Sequence, residues 1–318
     1  MYRYDKQYFE KKANETGFIR DNIEKVYRVT DILEYLNKNP LHKSSLALKG
    51  GTAINLAVFN MPRLSADIDL DFCKAISREE TLEERQEIFV DLTTYLQTQG
   101  YTLDLKKGKN YHSLSSLVFW YIGSSGNRDN IKVEINYSMR VHALPIVEIP
   151  IQTDILQRSF SIMTLSPLEL FGSKIKALVE RTASRDLYDV NNMVYYGTFD
   201  RNEIPLLRKL FVFYYAVGGA KEVELEIDTS KIGKVTQAEV KKSLLPMLRR
   251  GLNFDLESAK TRVEGFLAEL LKLEREEIEF LKCFKERKYR PELLFTDAEI
   301  VNRIRSHPMA LWKVGNVL

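Results

Sequence analysis

Between residues 18 and 36 the apolar positions Phe18, Ile19, Ile23, Val26, Tyr27, Val29, Ile32, Leu33 and Leu36 return at helical spacing, the signature of a helix with one buried face. This predicts a helix over residues 5–38, closed by Asn39-Pro40, because the residue before a proline is pushed out of the helical region. Residues 46–48 read as a short strand and residues 52–59 as a helix. At residues 67–72 the period changes to two, Asp67, Asp69 and Asp71 alternating with Ile68, Leu70 and Phe72, and residues 68–72 read as the carboxylate strand. In a strand that alternation sends the three carboxylates to one face. Residues 79–99 return to helical spacing. Residues 101–106, 113–121, 131–137, 147–151 and 160–164 are strand-like by β-branched and aromatic content, with a polar turn at 123–130. From Ser166 onward the pattern is helical almost to the end, including a long run from Leu256 to Arg287. Ser166-Pro167-Leu168-Glu169 reads as a helix start with a capping box.

Strands and helices are therefore segregated along the chain, which predicts an α+β fold rather than a repeated βαβ array. The division expected is a helical lead-in plus sheet core over residues 1–165 and a mainly helical second domain over residues 166–318. No internal repeat or low-complexity segment interrupts it.

Composition narrows the class without naming a chemistry. A chain of 318 residues, 44% hydrophobic and 29% charged, is long enough for a substantial core and has the balance of an ordinary globular protein. A net charge of +3 excludes a polycation. The basic residues are grouped, however: Lys106, Lys107 and Lys109; Lys241 and Lys242; Arg249 and Arg250; Lys285, Arg287, Lys288 and Arg290. Such groups are candidates for phosphate-backbone contact. Cys73 and Cys283 form no CxxC pair, which fits a reducing compartment. The first residues, MYRYDKQYFEKK, carry no apolar signal core, and no apolar run is long enough for a membrane span. These features predict a cytoplasmic protein.

The chemistry concentrates in residues 48–72. Gly50, Gly51 and Thr52 open a helix, where free backbone N–H groups suit a phosphate. Asp67 and Asp69 stand roughly 6–7 Å apart at Cα in an extended strand, a spacing from which two carboxylates can share Mg2+. On a second strand Lys132, Glu134 and Asn136 share one face. If it lies beside the first, Glu134 adds a third carboxylate, as metal ligand or general base. Lys174, Leu178 and Arg181 follow one helical face, with Asp186 and Asp189 an i, i+3 pair on the next helix. Lys176 points another way on that helix and is the alternative to Lys174 for a phosphate contact. The histidines His42, His112, His142 and His307 are scattered, which argues against zinc. Cys73 reads as a buried structural thiol.

In order, LKGGTAINL, PRLSADIDLDF, KVEI and SPLELFGSKIKALVERTASRDLYDV resemble the AbiEii/AbiGii family. Its members are nucleotidyltransferase toxins of type IV toxin–antitoxin systems, relatives of the MenT toxins and a branch of the DNA polymerase β-type nucleotidyltransferase superfamily. The resemblance spans about residues 15–195. It implies a polymerase β-type core, a helical C-terminal half, and Mg2+-dependent transfer of a nucleoside monophosphate from an NTP. It further implies an RNA acceptor, above all tRNA, and a cognate antitoxin as partner. By the same resemblance Gly50, Gly51 and Thr52 hold the triphosphate, with Arg181 beside them, and Asp67 and Asp69 bind the metal. Glu134 takes the third acidic position, Lys174 contacts the nucleotide, and Asp186 is the later acidic residue. Ser65 sits where some members carry a modifiable hydroxyl. Transfer to a protein or small-molecule hydroxyl, and a nucleotide-binding module without turnover, are the competing readings.

Overall fold

A computed structural model describes residues 3–111, 113–153, 155–156, 158–218 and 223–315. His112 lies outside them. The chain divides into two compact units. The first comprises residues 1–140, 146–164 and 247–252, and the second residues 141–145, 165–246 and 253–318.

The first unit is built on a mixed sheet. Its helices are α1 (Lys6–Thr16), α2 (Arg20–Lys38), α3 (Pro40–Ser45), α4 (Gly50–Ala53) and α5 (Arg78–Thr98). Its strands are β1 (Leu46–Lys49), β2 (Ile68–Phe72), β3 (Thr102–Leu103), β4 (Lys109–Tyr111), β5 (Leu114–Ile122), β6 (Arg128–Asn136), β7 (Val147–Thr153) and β8 (Arg158–Thr164). They run in the order β3-β5-β6-β2-β1-β8-β7, with β4 beside β5. β2 is central, antiparallel to β1 and parallel to β6. One face of these strands is core: Leu48, Ile68, Leu70, Val133 and Ile135 are buried. The other face carries the polar residues.

Several elements differ from the periodicity reading, each for a local reason. The predicted helix over 5–38 is two helices, because Gly17 takes a left-handed φ of +78° and caps α1. The helix predicted over 52–59 starts at Gly50 and widens into a π-type turn over Ile54–Val58, where the Phe59 N–H reaches back to Ile54. The strand expected over 101–106 shrinks to two residues. The Asp104 carboxylate accepts from the backbone N–H groups of Lys106 and Lys107 and from the Trp120 indole, and so folds the chain into a turn. Residues 247–252 return to this unit through Leu64 N–H to Met247 O (2.8 Å) and Arg250 N–H to Gly17 O (2.7 Å).

The second unit is helical: α6 (Pro167–Arg181), α7 (Ser184–Tyr195), α8 (Ile204–Gly218), the single turn α9 (Gln237–Glu239), α10 (Leu256–Leu270), α11 (Arg275–Lys285), α12 (Ala298–Ile304) and α13 (Pro308–Lys313). The run from Leu256 to Arg287 is two helices, α11 being restarted by Glu274, whose N–H is held by Glu277. The capping box at Ser166 is half formed. Ser166 accepts from the Glu169 N–H, but the Glu169 carboxylate turns inward, fully buried, to the N–H groups of Ala143 and Leu144 and the Tyr214 hydroxyl. Burial pushes that carboxyl above its ordinary range. Its bonds tie residues 141–145 into the helical unit.

Candidate active site

Cross-strand register assembles the polar face of the first unit. Lys49 pairs with Asp69, Asp69 with Glu134, and Glu134 with Ser116. Register partners project to the same side of a sheet, so a lysine, two carboxylates and a hydroxyl cross four strands in one row. Asp67 lies one residue ahead of β2 rather than within it. Among the described residues its carboxylate makes no hydrogen bond or ion pair. Glu134 pairs with Lys132 at 2.8 Å.

The glycine turn is pressed against this row. Gly50 has φ +69°, and a Cβ built on it would lie 2.7 Å from Asp69 Oδ2. A side chain here is barred twice, by the left-handed backbone and by the carboxylate. The Thr52 hydroxyl donates to the Asp67 carbonyl and stands 3.0 Å from the Ser65 hydroxyl. Thr52 therefore fixes the turn to the segment that carries the carboxylates.

Asp71, the third aspartate of the alternation, takes a different part. It is 2% exposed and pairs with Lys49 at 2.5 Å. A buried carboxylate needs such a partner, and the pair spans the β1–β2 edge where the glycine turn begins. Sequence alternation made the three aspartates equivalent; burial separates them. Among the described residues no three His, Cys, Asp or Glu side chains converge as a metal-holding group. Asp67 and Asp69 still offer the hard oxygen donors that Mg2+ takes, the rest of its shell being water and phosphate in such sites.

In the second unit α6 and α7 bring together Lys174, Arg181, Asp186 and Asp189. The Lys174 ammonium lies 3.0 Å from Asp186 and 3.1 Å from Asp189, with all three buried. Arg181 grips both oxygens of Asp186, at 2.6 and 2.9 Å. Burial alone would raise the Asp186 carboxyl, but the Lys174 charge and the Arg181 fork outweigh it and hold it at about 2. Lys176 is engaged elsewhere, with Glu180 and the Gly218 carbonyl. That separates the two lysines left as alternatives by the sequence.

Of the four candidate basic groups, the one at 285–290 is less available than its charge suggests. Lys285, Lys288 and Arg290 each pair with a glutamate: Glu224, Glu286 and Glu292. Cys73 is half-buried rather than buried. Among the described residues no helix is long and apolar enough to cross a membrane.

Comparison with known proteins agrees with this architecture. The family model described as nucleotidyl transferase AbiEii toxin, Type IV TA system, matches residues 31–276. Among solved structures, the chain is similar to MenT4, a nucleotidyltransferase toxin from Mycobacterium tuberculosis H37Rv. The match has a TM-score of 0.63 at 17% identity, over 94% of this chain and 97% of that one. At that identity the likeness speaks for the fold. A search of curated protein sequences returns no match.

Proposed function

The chain belongs to the AbiEii family of nucleotidyltransferase toxins of type IV toxin–antitoxin systems, and from that premise we propose that it transfers a nucleoside monophosphate from an NTP to a hydroxyl of RNA, specifically tRNA. The observation that supports this most is the apposition of Gly50 to the Asp69 carboxylate, 2.7 Å from the place of a Cβ. A phosphate-binding turn and an acidic row are useful together only if one ligand carries both phosphate and metal.

In this reading the Gly50–Thr52 N–H groups hold the triphosphate, and Asp67 and Asp69 hold Mg2+. The bound cation would offset phosphate charge and ease deprotonation of the acceptor. The acceptor oxygen forms a bond to the α-phosphorus, the bond from that phosphorus to the bridging oxygen breaks, and pyrophosphate leaves. Glu134 completes the acidic row, as metal ligand or as acceptor of the hydroxyl proton. Lys174, Asp186 and Arg181 belong to the proposal by resemblance. Because the three already satisfy one another, Lys174 or Arg181 would have to exchange a carboxylate for a phosphate oxygen. A cognate antitoxin is the expected partner.

One observation favours a second acceptor class. With Lys285, Lys288 and Arg290 internally paired, less free positive charge is left for an RNA backbone, and a protein or small-molecule hydroxyl gains weight. The test is to incubate the protein with Mg2+, each α-labelled NTP in turn and total RNA, with Asp67→Ala in parallel. Label entering RNA with the wild type alone is the expected result. Pyrophosphate release without labelled RNA moves the acceptor to the second class. No release at all defeats the transferase reading.

A further inference from the structure

Arg63 is a charged residue of the glycine-turn region to which the reaction above gives no part. It is 2% exposed and heads the fully buried side chains in volume. Arginine stays protonated at any accessible pH, so its burial fixes a positive charge in place. Nη1 donates to the Leu64 carbonyl at 3.0 Å. Nη2 lies 2.7 Å from the point a Gly51 Cβ would occupy, and Ser65 Oγ lies 3.2 Å from that same point. Gly51, unlike Gly50, has no positive φ. Glycine is required at 51 for space, and the space is taken by the guanidinium.

We infer that Arg63 is a positioning residue for nucleotidyl transfer, seating the Gly50–Thr52 turn against Asp67 and Asp69 through its contact at Gly51 and its bond to the Leu64 carbonyl. At 2% exposure it does not reach a bound nucleotide, so its action is indirect. The planar fork matters as much as the charge. A lysine ammonium cannot hold the Leu64 carbonyl and also lie flat against Gly51. The catalytic part of this inference rests on the nucleotidyl-transfer reading; the packing part does not.

The experiment compares wild type, Arg63→Lys, Gly51→Ala and the double variant as full chains. It measures NTP KM and kcat together with amide hydrogen exchange across residues 50–58 without nucleotide. Each single variant is expected to raise KM about tenfold with kcat within about threefold, and to speed exchange only within 50–58. The double variant is expected to be no worse than the worse single one, because both disturb one contact. Should Arg63→Lys not fold, Gly51→Ala carries the test by the same two readouts. A wild type that turns over, with variants that keep its KM and its exchange, overturns the positioning role alone. Additive effects in the double variant overturn it as well. A wild type without NTP turnover strikes the transferase reading, and the catalytic role of Arg63 falls with it.

Discussion

Two groups of aspartates in this protein have the same chemistry and opposite circumstances. Asp67 and Asp69 sit half-exposed at the polar face of the sheet, and the Asp67 carboxylate makes no hydrogen bond or ion pair among the described residues. Asp186 and Asp189 are buried in the helical unit and compensated by Lys174 and Arg181. A carboxylate such as that of Asp67, without a protein cation among the described residues, retains its charge for something from outside, whereas a compensated one has already spent its interaction on the fold. Asp71 belongs with the second group although its sequence neighbours belong to the first, because Lys49 neutralises it. Position along a motif therefore does not decide which aspartates are committed to the fold. Burial and pairing do.

The contrast is broken most directly at Asp67. Replacement by alanine should lower NTP turnover by about a thousandfold or more, since electrostatic stabilisation dominates phosphoryl and nucleotidyl transfer. The melting temperature should stay within about 2 °C of wild type, as no fold contact of that carboxylate is lost. Turnover close to wild type would remove Asp67 from the chemistry. Lys174→Met should show the reverse emphasis. Asp186 and Asp189 would each lose the Lys174 ammonium, Asp186 keeping Arg181, at about 3–5 kcal/mol, visible as a lower urea midpoint. A variant as stable as wild type would mean that the second group is not compensated as described.

A smaller effect separates the groups by pH. The Asp186 carboxyl lies at about 2 against 3.8 ordinarily, a depressed value, so its stabilisation is complete above pH ~4 and fades as pH falls toward ~2. The amount is about 2 kcal/mol. Denaturant titrations of wild type and Asp186→Asn across that range should converge on the acid side. Curves that stay parallel would show that the Lys174 and Arg181 contacts do not hold the charge.

How far the sequence revealed this arrangement depends on what each feature needs. Alternation alone located β2, residue for residue, because a strand with one buried face must alternate. The glycine turn and the Lys174 helix were legible because glycine, hydroxyl and cap residues have few other uses in such order. Arg63 was visible only as one basic residue of the PRLSADIDLDF motif, since nothing in PRLS says that its guanidinium is buried against Gly51. The Lys49–Asp71 pair was hidden for a similar reason: it depends on the β1–β2 register, which is a property of tertiary pairing. The helix break near Glu274 was masked by apolar spacing that carries on across it, whereas the one at Gly17 falls just ahead of the periodic positions and was overrun by extending the helix to residue 5.

The finest test of the contrast lies at Glu134, which stands in the acidic row yet has a cation of its own. Its pair with Lys132 is open to water, with side chains 28% and 42% exposed. The Lys174 group, at 6% or less for the lysine and its two aspartates, is not. An exposed pair is screened by salt and entropically loose, so Lys132→Gln should change stability by less than about 0.5 kcal/mol. Its effect should fall on turnover instead: about a twofold to threefold change at low ionic strength that disappears in high salt, where the Debye length is too short for the lysine to matter. Comparing NTP turnover and urea midpoints at both ionic strengths decides the matter. A salt-independent loss of stability would place Glu134 with Asp71 and Asp186 as a carboxylate committed to the fold, and would leave Asp67 and Asp69 to carry the acidic row without it.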